Sequence, residues 1–340
     1  MEKCTAGETM KIWYDACTGK HMRYGAAIAK RLRDDGYEVI LTTRKHPDTL
    51  PVANFLNEKV IVVGKYDPKS LLSRLKAGAH RQLLFCKILG ENPPDIAISH
   101  SSVDQIRVAF GLGIPIITTI DTLYAEAVNR LTLPLADYIV ASKAIPEKSL
   151  KAYGVKGEII SFNGVDEVAW IKDFKPQVKY DFKKPLIVVR EIEEKAAYTG
   201  KKFSLISIAE KLTSLGEVVY LSRYSKKAFR GLIVPEGFVD SASLVAQADL
   251  FVGVGGTITR EAALQGTPAI VVNFFQKQHA NDYLAEKGFP IFKADPYEVF
   301  GLAEKLIGKK WDVKAIFNEL ENPVDTIYNI VERLEQTRKA

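Results

Sequence analysis

The chain has 340 residues, 47% of them hydrophobic, more than one core holds and enough for two α/β domains of roughly 150 residues each. A formal charge of +6 is modest and scattered, without an arginine-rich arm or an aromatic-laced basic run, so nucleic acid is not an expected partner. No window reaches the ~18 uninterrupted apolar residues of a spanning helix and no secretory leader opens the chain; Cys4, Cys17 and Cys86 lie too far apart for a disulfide framework or a Cys-x-x-Cys metal site. A reducing, cytoplasmic location is therefore expected.

The polar stretch from Met1 to Thr9 precedes a second methionine, Met10, and reads as a loose extension or a misplaced start. From Lys11 onward, short β-branched runs alternate with amphipathic helical stretches, the pattern of βαβ units around a parallel sheet. Strands are expected at Lys11–Asp15, Glu38–Thr43, Val60–Val63, Ile96–Ser99, Ile114–Thr119 and Tyr138–Ala141. A helix over His21–Arg33 sets Ala26, Ala27, Ile28 and Leu32 among charged residues and stops at Gly36. Between Pro68 and Leu89, Leu71, Leu72, Leu75, Leu83, Leu84, Phe85, Ile88 and Leu89 alternate with Arg74, Lys76, His80, Arg81 and Lys87. Such a basic amphipathic helix can lie on an anionic membrane surface, and core packing is the competing reading of the same leucines.

The second half repeats the design, with strands near Leu186–Val189, Glu217–Leu221, Leu250–Gly253 and Ala269–Val272, and a closing helix runs from Pro323 through Ile327, Ile330, Val331 and Leu334. The expected organisation is a first Rossmann-like domain over 10–165, a linker over 166–184, a second Rossmann-like domain over 185–321 and the closing helix over 322–340. The fold class is α/β, with two doubly wound domains facing a central cleft, and ligands of such sheets meet the loops after the strands.

The run Gly253-Val-Gly-Gly-Thr257 with Glu261 behind it is the sharpest chemical signal. Gly253, Gly255 and Gly256 let backbone N–H groups approach an anion closely, and the following helix adds its positive end. A tight turn capped by Thr257 or Thr259 explains the same residues. Glu261 suits the two hydroxyls of a ribose, or it is an acidic residue favouring a first helical turn. Arg190 and Lys195 follow the first strand of this half and suit a diphosphate, with surface pairing to Glu191, Glu193 and Glu194 as the alternative. Gln276, His279, Asn281 and Asp282 suit sugar hydroxyls, or form a polar surface loop.

In the first half, His21 opens a helix just after a turn and is the candidate general base. Asp121 follows a strand end; it orients a substrate hydroxyl or caps the helix that carries Asn129. His100 with Ser99, Ser101 and Ser102 lacks the Gly-x-Ser-x-Gly elbow of a serine hydrolase. No metal-ligand spacing is present, so no fixed metal or other cofactor is expected.

The stretch Gly255 to Pro268 resembles the donor-site motif of GT-B enzymes, in particular the GlcNAc-transferase that makes lipid II and the UDP-GlcNAc 2-epimerases. Thr18-Gly-Lys-His21 with Gly25 resembles the first glycine-rich loop of that transferase, although Lys20 stands where it has a second glycine. Through Ile96-Ala-Ile-Ser-His-Ser-Ser102, Asp121, the Val128–Asp137 stretch, Phe162-Asn-Gly-Val-Asp166 and Val189-Arg-Glu191, the chain resembles an uncharacterised prokaryotic domain-of-unknown-function family with a GT-B-like fold. The resemblance implies a UDP-sugar as substrate, phosphates on Gly255, Gly256 and Thr257, the ribose on Glu261, and Thr18 and Gly19 beside His21. It implies a glycosyltransferase with a lipid-linked or glycan acceptor; a non-hydrolysing epimerase or hydrolase, and a nucleotide-sugar binding protein without catalysis, are its alternatives.

Overall fold

A computed structural model describes residues 9–191, 205–222, 229–273 and 278–339. It divides into two compact units, Met1–Ala169 with Asn322–Ala340, and Trp170–Glu321.

The first unit is built on strands β1 (Lys11–Ala16), β2 (Glu38–Lys45), β3 (Ile61–Lys65), β4 (Ile96–Ser99), β5 (Ile116–Ile120), β6 (Tyr138–Ser142) and β7 (Glu158–Phe162). They form one parallel sheet in the order β3-β2-β1-β4-β5-β6-β7. The second unit repeats this with β8 (Leu186–Arg190), β9 (Glu217–Leu221), β10 (Leu232–Ile233), β11 (Leu250–Gly253), β12 (Ala269–Val272) and β13 (Ile291–Ala294), ordered β10-β9-β8-β11-β12-β13. In each sheet the strand order reverses beside the first strand, between β1 and β4 and between β8 and β11. Loops diverge at such a switch point, and ligands of open α/β sheets bind there.

Side-chain alternation explains why the central strands read as unbroken apolar runs. Ile187 and Val189 enter one buried cluster with Val218, Tyr220, Leu250 and Val252, whereas Leu186 and Val188 enter another with Val219, Phe251 and Ala269. Both faces of the sheet are covered, so neither tolerates a polar residue. The three strands that the sequence analysis misses, β7, β10 and β13, are all edge strands. An edge strand keeps one side toward solvent, and Glu158 and Lys293 interrupt the apolar pattern there.

Residues 177–184 do not form a free linker. Gln177 N donates to Ser243 Oγ at 3.0 Å, Tyr180 N donates to Gln247 Oε1 at 3.1 Å, and the Tyr180 and Phe182 rings pack on the second unit's core. The closing helix, Pro323–Lys339, belongs to the first unit: it buries Ile327, Ile330 and Val331, and Arg333 pairs with Glu158 at 2.8 Å.

The helix Leu71–Leu89 starts at Ser70 with a reciprocal cap between Ser70 and Ser73. It is held by Arg81, Phe85 and Leu89, the residues that it buries. Leu71, Leu72, Leu75, Leu83 and Ile88 remain exposed, so core packing accounts for only part of its leucine content.

Arg81 makes a fully buried ion pair in the first unit. Its guanidinium grips Asp15 at the end of β1 through two bonds, Nη1 to Oδ2 at 2.9 Å and Nη2 to Oδ1 at 2.5 Å, while Nε donates to Val63 O. Ser102 and Thr42 hydroxyls donate to the same carboxylate at 2.6 and 2.7 Å. Burial alone would push the Asp15 carboxyl up; the charge and hydrogen bonds of Arg81, with those of Ser102 and Thr42, outweigh it and hold the group below its ordinary value. Since the folded value is depressed, the stabilisation is present above the unfolded carboxylate value and is lost as pH falls through the folded one. Arg81→Ala should cost about 3–5 kcal/mol at neutral pH by leaving Asp15 buried without its partner. In urea unfolding followed against pH, the variant should become more stable as Asp15 takes up a proton, opposite in sign to the parent; an unchanged profile would show that the pair is not the source.

Candidate functional site

The loops after β1, β4, β5 and β7 bring one group of ionisable side chains together. Thr18 caps the helix Gly19–Asp34, its hydroxyl accepting from His21 N at 3.3 Å, and Gly19 is the first helical residue. This fixes the direction in which Lys20 and His21 leave the first turn. Lys20 Nζ meets Asp121 Oδ2 at 2.5 Å and Asp166 Oδ2 at 2.7 Å, with Glu167 Oε1 at 4.0 Å. Asp166 and Glu167 are buried, at 2% and 0% exposure, so these charges sit in the protein rather than in solvent.

His100 completes the group. Its Nδ1 lies 2.6 Å from Thr119 Oγ1 and its Nε2 lies 3.2 Å from Asp121 Oδ1. A proton on Nε2 would donate to Asp121, and Nδ1 would then accept from the Thr119 hydroxyl. The His21 ring meets His100 edge to face, with centroids 4.6 Å apart. His21 Nδ1 is shielded from solvent and has no hydrogen-bond partner among the described residues. Burial first, then the neighbouring His100 and Lys20, hold His21 well below the ordinary imidazole value, so it is neutral at pH 7. A neutral imidazole with an uncommitted nitrogen beside an oriented Asp–His pair can take up and return protons.

The structure thus brings His21 and Asp121 into one site. Asp121 does not cap the helix Glu126–Thr132, whose N-cap is Ala125 without a side-chain bond. The serines after β4 serve the scaffold: Ser101 Oγ donates to Thr119 O and Ser102 Oγ to Asp15. Lys20, His100, Asp166 and Glu167 complete the site without having been singled out as members from sequence. Lys20 is legible only as a departure from a glycine pattern, and Asp166 and Glu167 fall in the expected linker. His100, Asp121 and Asp166 also have the donor types and proximity of a metal-binding set, with ligand atoms all within 4.8 Å of one another.

In the second unit, Arg190 ends β8 and lies beside Gly253, which ends β11, so both flank the switch point. Gly255 and Gly256 have φ of 100° and 94°, and at Gly256 ψ is −167°, a conformation that only glycine visits without strain. Gly256 is the N-cap of the helix Thr257–Leu264 and has no side chain to satisfy the first helical N–H groups. A side chain at Gly255 would strike Gln278, whose Oε1 lies 1.7 Å from the Cβ position. Gln278 Nε2 donates to Val254 O at 2.7 Å, and the buried Asn281 donates to Gln278 Oε1 at 2.6 Å, buttressing the turn.

Two candidate residues of this unit are already engaged by neighbours. Glu261 does not sit at an open mouth: it is fully buried, accepting from Trp170 Nε1 at 2.9 Å and Ser241 Oγ at 2.7 Å. A ribose hydroxyl would have to share or replace these donors. Asp282 is paired with Lys293 at 2.5 Å, which leaves it less available to a sugar than its loop position implies. Arg190 Nη1 donates to Leu221 O at 3.3 Å. Lys195 and Gln276 lie outside the described residues.

Comparison with known proteins agrees with the two-unit plan. The chain is 32% identical over 339 residues to an uncharacterised protein of Methanocaldococcus jannaschii, covering 95% of this chain and 98% of that one. The structure is similar to the UDP-GlcNAc 2-epimerase of M. jannaschii in complex with UDP-GlcNAc and UDP, with a TM-score of 0.70, 14% identity, and 95% and 100% of the two chains covered. It is also similar to the glycosyltransferase of kitacinnamycin, with a TM-score of 0.63, 12% identity, and 96% and 99% covered. At these identities the likeness establishes the fold, which is GT-B-like with two Rossmann-like domains. Residues 10–336 match the sequence profile of the family described as a protein of unknown function, DUF354, and the chain belongs to that family.

Proposed function

We propose that this protein is an enzyme of UDP-type sugar nucleotides, and that its chemistry is proton transfer at the sugar, as in an epimerase. The observation that carries this reading is the Lys20–Asp121–His100–His21 cluster with Asp166. Epimerisation at a carbon removes a proton from one face and returns one to the other, so it needs a base and an acid fixed in place. His21, neutral and with an uncommitted nitrogen, suits the base. The Asp121–His100 pair suits the acid. In the second unit the Gly255–Gly256 turn, the helix after it and Arg190 suit the diphosphate, whose charge the helix N-terminus and guanidinium stabilise without a metal. The UDP-GlcNAc complex of the similar M. jannaschii epimerase supports the choice of ligand.

Incubation of the protein with UDP-GlcNAc in deuterium oxide, without an acceptor, tests this reading by NMR. The expected result is deuterium at a sugar carbon together with a second UDP-sugar diastereomer, with Asp121→Asn slowing both by about 10²–10⁴-fold. Activity should persist below the ordinary imidazole range, because His21 stays neutral there. UDP released only when an acceptor is added would establish transfer instead, and binding without turnover would leave a binding protein.

Transfer to a lipid-linked acceptor is the second reading, favoured by the exposed face of the helix Leu71–Leu89. That helix has no acidic residue, and Leu72 and Leu75, exposed at 59% and 70%, stand among Arg74, Lys76 and Lys87. Apolar burial with cationic flanks suits an anionic bilayer surface. Co-sedimentation with phosphatidylglycerol vesicles should be lost on Leu72→Asp with Leu75→Asp while the melting temperature holds. Phe85 is unsuited to this test because it is wholly buried. Equal sedimentation of the parent with neutral vesicles, or none with either, would remove the membrane contact.

A further inference from the structure

The group around Lys20 has a property that does not depend on which sugar nucleotide the protein takes. His100, Asp121 and Asp166 come from the ends of three parallel strands, β4, β5 and β7, and their ligand atoms lie within 4.8 Å of one another. An imidazole and two carboxylates can carry two negative charges, the complement of a divalent cation. Zinc bound by nitrogen and oxygen keeps its ligands at about 2.0–2.2 Å, so three donors sharing one ion lie no more than about 3.8 Å apart, and a triangle of the observed reach has to close on binding. Three protein ligands with an open fourth position is also the usual makeup of a reactive zinc site.

Two corners of this triangle are already served by a cation of the chain itself. Lys20 Nζ sits at hydrogen-bond distance from both aspartates, 2.5 and 2.7 Å, and also within 4.0 Å of Glu167. Lys20 is the second residue of its helix, and its approach is set by the Thr18 cap, so the ammonium is delivered to one place. We propose that His100, Asp121 and Asp166 form a cation site that Lys20 fills from within, making the ammonium a positioning residue for both aspartates, and that a divalent metal ion takes its place when the lysine is shortened. The ammonium supplies one charge where the ligand set matches two. A carboxylate pair of this kind left without a cation would repel. His21, packed on the His100 ring, limits how far that ring can turn away.

The test is binding of cobalt(II) and manganese(II) to the full chain and to Lys20→Ala. The parent should show no visible d–d absorption with cobalt and no change in melting temperature with manganese. Lys20→Ala should melt lower, recover toward the parent with manganese, and develop a saturable visible cobalt spectrum that Asp166→Asn added to it abolishes. Lys20→Arg, which restores a cation, should behave as the parent. If Lys20→Ala is recovered unfolded, Lys20→Gln is read in its place, since its shorter, uncharged amide leaves the carboxylate charge unmatched, and the same cobalt spectrum is expected. Metal responses equal in the parent and the shortened variant, or absent from both Lys20→Ala and Lys20→Gln, would overturn the proposal. The cobalt spectrum needs no turnover, so its outcome is separable from that of the epimerase assay.

Discussion

The ammonium of Lys20 ties together three strand ends that the chain separates widely. From the first turn after β1 it reaches Asp121 after β5 and Asp166 after β7, and Asp121 in turn orients His100 after β4. Removing such charges from water is expensive, and a buried ion pair seldom repays its desolvation with stability. On the proposed reading the cluster is a cost accepted for chemistry: charged groups held dry, close and oriented are the groups whose protonation can be set. His21 shows the consequence. Its burial first, then His100 and Lys20, disfavour the imidazolium and outweigh Asp121, so a nitrogen lone pair remains at neutral pH.

A second buried pair lies at the same end of β1. Asp15 and Arg81 lock the helix Leu71–Leu89 against the sheet, and Ser102, just past His100, donates to the same carboxylate. The loop carrying His100 is therefore anchored through Ser102 to β1 and through Thr119 to β5. Rigid strand ends braced from behind are what a proton-transfer site requires, because misplacement of a group by about 1 Å can cost 10²-fold in rate. The second unit uses a different device, backbone rather than side-chain charge. Its glycine turn depends on two positive-φ residues and on Gln278 and Asn281 packed against it.

Much of the fold was legible in the sequence because buried parallel strands are apolar on both faces. Ile96–Ser99, Glu217–Leu221, Leu250–Gly253 and Ala269–Val272 match the expected bounds. The edge strands β7, β10 and β13 were less legible than the edge strand β3, because solvent on one side admits residues such as Glu158 and Lys293. His21 and Asp121 could be picked as single residues following a turn and a strand, yet nothing in spacing says that residues 20, 100, 121 and 166 meet. Only the sheet order brings them together. Burial was the other blind spot: Glu261 reads as an acidic residue in a first helical turn, and its engagement by Trp170 and Ser241 comes from residues far away in the chain.

The central claim is that a sugar nucleotide is this protein's ligand, and direct calorimetric titration addresses it most simply. UDP-GlcNAc, UDP, UMP and ADP would be titrated into the parent protein and into Arg190→Ala. The account predicts saturable binding of UDP-GlcNAc and UDP, much weaker binding of UMP because the diphosphate contacts are lost, and weakening of the diphosphates in the variant by about 1.5–3 kcal/mol, the worth of a hydrogen bond to a charged group. Heat of dilution alone for all four ligands would contradict it and leave the two-domain fold without its proposed ligand.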